Sequence, residues 1–278
     1  MLRERKLFAI TYANEKYIKA ARINKKSAIK IGKADKAFIY TPDDIDVDFK
    51  NINIEILSQN KGNGYWLWKP YFLKKTMEQM NEGDILFYTD AATVCIDSIW
   101  KLVTAMEAEG QSRMIFSLGT ERIEAAYTKR DAFILMECDE EHIAKTPQAD
   151  ASAVLLINNQ SNRDFCNEYL EFAKDKRILT DIENEMGKEN YSEFLMHRHD
   201  QSILSLLAKK KKVPFFRDCS QFGVNTIYDA VVLNRSGYPQ ILNHHRMADA
   251  NSLLYIKIKQ LECIQKLEHK LYLWKNSR

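Results

Sequence analysis

A carboxylate at Asp90 follows a short apolar run, Ile85–Tyr88, in the sequence ILFYTDAAT. Open α/β sheets often build ligand sites from residues that follow the carboxyl ends of strands. Such a carboxylate can bind a divalent cation that neutralises a pyrophosphate, or it can simply cap a turn. Ala92 stands two residues further on, so no second acid is close enough in sequence to complete a metal clamp. A metal at Asp90 therefore needs ligands from elsewhere in the chain.

An aromatic cluster precedes this strand in GYWLWKP, where Tyr65, Trp66 and Trp68 are followed by Lys69 and a proline. Aromatic rings at this density can form a stacking wall for a base or a sugar ring. The alternative is that Trp66 or Trp68 anchors the core. A lysine beside such a wall can neutralise a phosphate as a point charge.

Two further acids adjoin apolar segments. Asp150 precedes a predicted buried strand, Ala153–Ile157, and Asp200 with Gln201 stands at the head of the apolar run SILSLLA. Asp200 can cap a helix that starts there, or it can contribute to a polar site. Both acids are candidates for a catalytic role.

Histidines occur in two polar clusters. His197 and His199 flank an arginine just before Asp200, and His244-His245-Arg246 follows a short apolar segment. Core packing does not require the first cluster. The second pair of histidines can ligate a metal or hold a phosphate, or it can belong to a surface loop.

Apolar runs typical of strands alternate along the chain with helical patterns. This alternation predicts an α/β fold, in which helices flank a mixed, mostly parallel sheet that positions these residues. The predicted strands are Lys6–Thr11, Lys36–Tyr40, Ile54–Leu57, Ile85–Tyr88, Arg113–Leu118, Ala153–Ile157 and Val213–Arg217. The predicted helices are Glu15–Gly32, Phe72–Met80, Ser98–Gly110, Ser161–Arg177, Ser192–Ala208 and Asn251–Trp274.

Composition narrows the class of protein. Of the 278 residues, 45% are hydrophobic and 28% are charged, and the net charge is only +3, which implies no nucleic-acid partner. The 5 cysteines are scattered and never form a CxxC pair, so we expect reduced thiols in a cytoplasmic protein. No apolar stretch approaches the roughly 18 residues of a membrane-spanning helix.

The C-terminal segment is predicted to be separate from the catalytic body, with a first domain at 1–246 and an amphipathic helix at 247–278. Apolar residues recur every three or four positions in Asn251–Trp274, and lysines outnumber acids on the other face. The helix packs on its own domain or on a second copy of the chain, or it lies on a membrane surface. Lys209–Lys212 is interpreted as the solvated end of a helix.

The chain also resembles a known family. The segments GNGYWLWKPY, GDILFYTDAAT, EAAYTKRDAF, HRHDQSILSLLAKK and LNHHR resemble bacterial polysaccharide-type glycosyltransferases of the GT-A fold, over about residues 6–246. The resemblance implies an enzyme of the hexosyltransferase type that assembles capsule, O-antigen or lipopolysaccharide. It also implies a nucleotide-sugar donor, most often UDP-linked, and a saccharide or lipid-linked saccharide acceptor.

The resemblance assigns roles to individual residues. Asp90 aligns with the first acid of the family's Asp-x-Asp motif, which implies Mn²⁺ or Mg²⁺ or, since Ala92 replaces the second acid, contact with donor hydroxyls instead. Asp150 and Asp200 would orient the acceptor hydroxyl or act as its general base. The residues implied to bind the donor are Thr11, Tyr12, Ala13, Tyr65, Trp68, Lys69, Asp90, Gln201, His244, His245 and Arg246.

Two other functions stay open from the sequence. A nucleotidyltransferase would use the acids to hold two metals, and a catalytically silent glycosyltransferase-like subunit would need no complete metal motif. The expected location is the cytoplasm, with the inner face of the membrane as the alternative if the last helix lies on lipid.

Overall fold

The computed structural model describes residues 5–249. The predicted C-terminal helix lies outside these residues, and its packing, dimerisation or membrane contact stays a prediction, as does the boundary at residue 246. Within the described range, no helix is long and apolar enough to cross a bilayer.

A six-stranded sheet forms the centre of the protein, with a two-stranded sheet beside it. The strands are β1 Leu7–Tyr12, β2 Lys36–Tyr40, β3 Ile85–Thr89, β4 Thr93–Cys95, β5 Arg113–Ser117, β6 Ala149–Ile157, β7 Phe215–Arg217 and β8 Leu242–His244. The order in the large sheet is β2-β1-β3-β6-β5-β7, and β4 pairs with β8 in the small one. The predicted α/β class with a mixed, mostly parallel sheet is confirmed.

One strand runs against the others. β1 pairs in parallel with β2 and β3, and β5 pairs in parallel with β7, whereas β6 is antiparallel to both β3 and β5. The start of β6 therefore lies at the same edge of the sheet as the ends of its neighbours. This edge collects residues that are far apart in sequence.

Helices cover both faces of the sheet. They are α1 Ile18–Lys30, α2 Val47–Ile52, α3 Ile54–Leu57, α4 Gly62–Tyr65, α5 Trp68–Met77, α6 Trp100–Ala108, α7 Glu124–Tyr127, α8 Arg130–Leu135, α9 Glu141–Ala144, α10 Gln160–Ala173, α11 Lys176–Leu179, α12 Asp200–Lys210, α13 Phe222–Asn225 and α14 Ala230–Asn234. Side chains of α5, α10 and α12 pack on one face with Phe8, Ile10 and Leu86. Side chains of α6 pack on the other face, with Leu7 and Phe87.

Three predicted elements differ from the structure. Ile54–Leu57 is helical rather than a strand: Ile56 is buried while Ile54 is exposed, and a short apolar run alone does not separate the two conformations. The helix predicted over Ser192–Ala208 begins only at Asp200, because His199 has φ 52° and ψ −119°. Lys209 is not a solvated helix end, since its ammonium pairs at 2.8 Å with the fully buried Glu124.

A left-handed turn precedes α5. Five consecutive residues, from Gly62 to Trp66, have positive φ, including the non-glycine residues Asn63, Tyr65 and Trp66. Such a conformation costs roughly 1–2 kcal/mol for each residue that carries a Cβ. Packing offsets this cost, because the indole of Trp68 donates a hydrogen bond to Gly62 O at 2.9 Å. The turn fixes where the aromatic cluster points.

Gly62→Ala tests this turn against Gly110→Ala. Both glycines have positive φ, but a Cβ on Gly62 would lie 2.2 Å from Cε3 of Trp66, whereas nothing lies within 4 Å of a Cβ on Gly110. We expect Gly110→Ala to lower the free energy of unfolding by about 1–2 kcal/mol. Gly62→Ala should lose about 1–3 kcal/mol more, because the ring must shift. Urea unfolding measures both losses, and equal losses would contradict the packing role.

Candidate functional site

The polar residues of the site meet at the edge where β6 begins. Thr89, the last residue of β3, pairs with Ala153, and the N–H of Asp90 donates to Ser152 O at 2.9 Å. On the other side of β6, Phe116 pairs with Asp150. Asp150 therefore lies within β6, not before the strand as the sequence predicts. The antiparallel strand brings Asp90 and Asp150, which are 60 positions apart, to one edge.

A β-bulge interrupts the pairing of β5 with β6 just before Asp150. β5 passes from Ile115 to Phe116 while its partner in β6 changes from Val154 to Asp150. The intervening residues are thus released from β5, and the carbonyl oxygen of Ala151 accepts a hydrogen bond from Lys69 Nζ at 3.1 Å. Bulges of this kind re-aim groups beside functional sites.

A cleft of about 720 Å³ opens at this edge. Five of the candidate residues from the sequence line it, namely Lys69, Asp90, Asp150, Asp200 and Gln201. The lining also includes Trp66, His197, Arg198 and His199 from the clusters named above, and residues that the sequence did not single out, among them Lys61, Lys129, Asp181, Asn184 and Asn190. Carboxylates, amides and cations line this cleft together with the aromatic side chains of Trp66 and Phe194.

Lys69 is the buried centre of the cleft wall. Its side chain is 3% exposed, and Nζ lies 2.5 Å from Asp200 Oδ2 and 3.8 Å from Asp90 Oδ1. The rings of Trp68 and Tyr88 lie 5.8 and 5.2 Å from the ammonium. Burial would lower the pKa of Lys69, but the charges of Asp200 and Asp90 raise it overall, so the ammonium stays charged. Lys69 therefore holds the two carboxylates in place rather than facing solvent.

Asp200 starts α12 at the bottom of the cleft. Its side chain is 6% exposed, and the hydroxyl of Tyr169 donates to its backbone oxygen at 3.0 Å. Burial raises the pKa of Asp200 to about 6 in spite of the ammonium beside it. Desolvation thus outweighs ion pairing at this carboxyl.

Asp90 is the more open carboxylate, with 44% of its side chain exposed. The hydroxyl of Tyr88 donates to Oδ1 at 2.5 Å. Within residues 5–249, Oδ2 has no hydrogen-bond partner, so it is available to a ligand in the cleft. The hydrogen bond from Tyr88 holds Oδ1 of Asp90 and leaves Oδ2 free to contact a ligand in the cleft.

The aromatic cluster divides between core and cleft. Trp68 is 5% exposed, and its ring stacks on Tyr12 at 3.8 Å between centroids, so the interpretation as a core anchor applies to it. Trp66 lines the cleft and stacks on His199 at 5.4 Å. Tyr65 also contacts His199, at 5.0 Å. Of the three clustered aromatics, Trp66 is therefore the one that lines the cleft.

The predicted nucleotide residues lie at the carboxyl end of β1 but do not line this cleft. Thr11, Tyr12 and Ala13 are 1%, 6% and 2% exposed. Burial raises the pKa of the Tyr12 hydroxyl to about 12, and Asn63 donates a hydrogen bond to it. The hydroxyl of Thr11 has no partner within the described chain. In this conformation these residues support the turn at 62–66 more than they offer a surface.

The two histidines before Asp200 hold the backbone in place through contacts with main-chain oxygens and carry no charge into the cleft. His197 Nε2 lies 2.8 Å from Ile178 O, and His199 Nδ1 lies 2.8 Å from Leu179 O. Burial lowers the pKa of both rings, so both are neutral. They tie the segment before α12 to α11.

The irregular segment over the cleft is held by one buried acid. Asp131 is fully buried, and its two oxygens accept from the N–H groups of Glu185 and Met186 at 2.7 and 3.1 Å. The same segment carries Asn184, which lines the cleft. Asp131 thus gives an otherwise loop-like wall a defined position.

The C-terminal polar group lies beside the cleft. His244 is in β8, and its Nδ1 lies 2.8 Å from Thr93 Oγ1. Burial lowers the pKa of His245 to about 4, so this ring is neutral. The guanidinium of Arg246 lies 4.6 Å from the ring centre of Phe222.

A metal at Asp90 does not fit the donor atoms present. Asp90 is already held by Tyr88 and by the nearby ammonium of Lys69, and Ala92 offers no ligand. The structure instead brings Asp150, Asp218 and His244 together.

Asp218 was not identified from the sequence, although it follows β7 directly, as Asp90 follows β3. Burial and the neighbouring Asp150 raise the pKa of Asp218 to about 6.

No family model matches the chain. No curated protein matches it either. Among solved structures, the chain is similar to the apo structure of the WbbM bifunctional glycosyltransferase, with a TM-score of 0.46 and 10% identity over 88% of this chain. The match spans 46% of the length of that protein. It is also similar to mouse xyloside xylosyltransferase 1, with a TM-score of 0.45 and 10% identity over 89% of this chain and 99% of the mouse chain.

The Lys69–Asp200 pair predicts a non-additive pair of substitutions. Lys69→Met should lower the free energy of unfolding by about 3–5 kcal/mol, because it leaves Asp200 buried without its cation. Adding Asp200→Asn should restore part of that loss. Urea unfolding of both single variants and the double variant gives the coupling energy, which we expect at about 1–3 kcal/mol. Additive losses would contradict the assignment.

Proposed function

We propose that the protein is a glycosyltransferase that moves a sugar from a nucleotide-sugar, of the UDP-linked class, to a saccharide acceptor. The observation that carries the proposal is the cleft at the sheet edge, with Asp90 and Asp200 around the buried Lys69. Ligand sites of α/β sheets lie at this edge. The resemblance of the sequence motifs supports the same function.

The chemistry of the lining suits a sugar. Carboxylate and amide groups accept and donate hydrogen bonds to hydroxyls, and an aromatic face packs on the apolar side of a sugar ring. Asp90, Asn184 and Asn190 supply the polar groups and Trp66 supplies the ring. A charged site that binds only phosphate would not need this combination.

Asp90 is proposed to bind hydroxyls of the transferred sugar through Oδ2. Lys69 is a positioning residue, because its ammonium is buried and orients Asp90 and Asp200. Asp200 is the carboxylate proposed to orient the acceptor hydroxyl and take its proton, since it lines the cleft and its pKa of about 6 leaves it ionised at neutral pH. The transferred sugar leaves the nucleoside diphosphate as the acceptor oxygen bonds to its anomeric carbon.

The leaving diphosphate needs positive charge, and the arginine of the polar cluster before Asp200 is one candidate. Arg198 lines the cleft, its guanidinium lies 3.7 Å from the ring centre of Tyr127, and no carboxylate of residues 5–249 lies within ion-pair distance of it. Arg246 remains a candidate for the same role, whereas the neutral ring of His245 can offer only a hydrogen bond. A fixed cation near the leaving group stabilises the charge that develops during transfer.

The proposed biological setting rests only on the sequence resemblance. We propose that the acceptor is a saccharide or lipid-linked saccharide of a bacterial surface polysaccharide or lipopolysaccharide, at the cytoplasmic face of the membrane.

A melting series with UDP, UDP-sugars and other nucleotide-sugars tests the donor class, because a ligand that binds the folded state raises the melting temperature of the protein. A protein that responds to no nucleotide is a silent subunit, and this outcome would overturn the proposal.

Asp90→Asn tests the site directly. The variant removes the charge that the proposal assigns to donor binding, and we expect sugar transfer to fall by at least about 100-fold. The matched control is Asp48→Asn, the same change in α2, where we expect the wild-type rate. Transfer is measured as radiolabelled sugar incorporated into a saccharide acceptor. A wild-type rate in folded Asp90→Asn would show that the carboxylate has no such role.

Activity should also depend on pH through Asp200. Its pKa of about 6 means that the carboxyl takes a proton as the pH falls through 6, and the pair with Lys69 is lost. We expect kcat/KM to decrease below about pH 6 and this limb to be absent from the residual activity of Asp200→Asn. A wild-type profile that is flat from about pH 5 to 7 would contradict the assignment.

The same group affects stability with the opposite sign. The pKa of Asp200 rises from 3.8 to about 6 on folding, so the folded protein binds this proton more tightly than the unfolded chain. Its contribution to the free energy of unfolding is therefore fully present below pH 3.8 and is lost as the pH rises through about 6. Activity and this part of the stability should change in opposite directions across the window.

A further inference from the structure

Three side chains from separate elements converge beside the cleft. Asp150 in β6, Asp218 after β7 and His244 in β8 each offer one ligand atom, and these atoms all lie within 4.8 Å of one another. The strand pairing explains the convergence: Phe116 of β5 is opposite Asp150 in β6 and opposite Phe216 in β7. The six-stranded sheet therefore places Asp150 beside the end of β7, while the pairing of Thr93 with His244 in the small sheet positions the histidine.

The two carboxylates of this cluster are buried without a cation. Asp150 is 8% exposed and Asp218 is 4% exposed. No lysine or arginine among residues 5–249 lies within 4.0 Å of either carboxylate. Two buried carboxylates at this separation repel each other and have lost much of their hydration, so they require a counter-charge or a shared proton.

Each ligand is already oriented by a neighbouring group. Ser152 donates to Asp150 from both its N–H and its hydroxyl, at 2.9 and 2.7 Å. Ser220 donates to Asp218 in the same way, at 2.7 and 2.9 Å. These contacts fix the carboxylates without neutralising them. Orientation of metal ligands by an outer layer of hydrogen bonds is typical of protein metal sites.

Both ring nitrogens of His244 contact a hydroxyl, and Nε2 is the one on the side of Asp150. Thr93 Oγ1 lies 2.8 Å from Nδ1 of His244, which fits an Nδ1–H that donates to the hydroxyl. Nε2 lies on the side of Ser152, 3.3 Å from its hydroxyl, and Ser152 in turn contacts Asp150. This tautomer leaves Nε2 as a lone-pair donor for an ion.

We infer that Asp150, Asp218 and His244 bind a divalent transition-metal ion, with Mn²⁺ as the best match, and that Asp90 is not a ligand of it. Two carboxylate oxygens and one imidazole nitrogen suit Mn²⁺, whereas Mg²⁺ and Ca²⁺ prefer oxygen donors alone. Three protein ligands leave coordination positions open. That the ion would serve a donor diphosphate in the cleft rests on the proposed function; the binding itself does not.

Mn²⁺ alone tests the site. Free Mn²⁺ gives a six-line electron paramagnetic resonance signal that decreases on binding, and isothermal titration gives the affinity and stoichiometry. We expect one ion per chain in the full-length protein and at least about a tenfold weaker affinity in Asp218→Asn and in His244→Gln. Asp90→Asn, the matched change at the other corner, should bind Mn²⁺ as the wild type does.

Thr93→Val keeps the test decisive if a ligand variant does not fold. It removes the partner of Nδ1 while keeping the shape of the side chain, and we expect about 10–100-fold weaker Mn²⁺ binding. Absence of binding by the wild type, or loss of binding in Asp90→Asn with retention in Asp218→Asn, would overturn the inference. A nucleotide-sugar response without Mn²⁺ binding overturns the ion site alone; Mn²⁺ binding without any nucleotide response overturns the function alone.

Discussion

The buried ammonium of Lys69 is the interaction on which the cleft depends. Removing a lysine side chain from water to 3% exposure is costly unless opposite charges compensate it. Asp200 and Asp90 supply those charges, and the carbonyl of Ala151 accepts a further hydrogen bond. The three groups come from α12, the end of β3 and the bulge of β6. One ammonium therefore holds three elements in register, and their alignment shapes the wall of the cleft.

The reversed strand β6 gives this wall its composition. In an all-parallel sheet the edge would receive only the carboxyl ends of strands. Because β6 runs in the opposite direction, its beginning lies among those ends, and Asp150 and Ser152 join Asp90. The bulge opposite Ile115 and Phe116 then releases a carbonyl for Lys69. Strand direction and the bulge together account for the concentration of polar groups at this edge.

Sequence patterns predicted most strands because each is a buried apolar run, and they located Asp90 because it follows one. They failed where tertiary packing decides the backbone. The two glycines Gly62 and Gly64 allow positive φ, but nothing in the local sequence indicates that Tyr65 and Trp66 also take it. Asp218 also directly follows a strand, but β7 has only three residues, so its sequence pattern predicts a strand weakly. The convergence of Asp218 with Asp150 and His244 requires the strand order, which no local pattern contains.

The positions of the positive charges distinguish the carboxylate pair Asp90 and Asp200 from the pair Asp150 and Asp218. Asp90 and Asp200 share a fixed ammonium, so a divalent ion there would face a like charge 3.8 Å from Asp90. Asp150 and Asp218 have no ion pair within the described chain, although Lys69 and Arg198 interact with Asp150 at longer range. Ala92, two residues after Asp90, adds no ligand to the corner that already has a cation. This distribution agrees with the proposed arrangement, in which Lys69 serves one carboxylate pair and an ion serves the other.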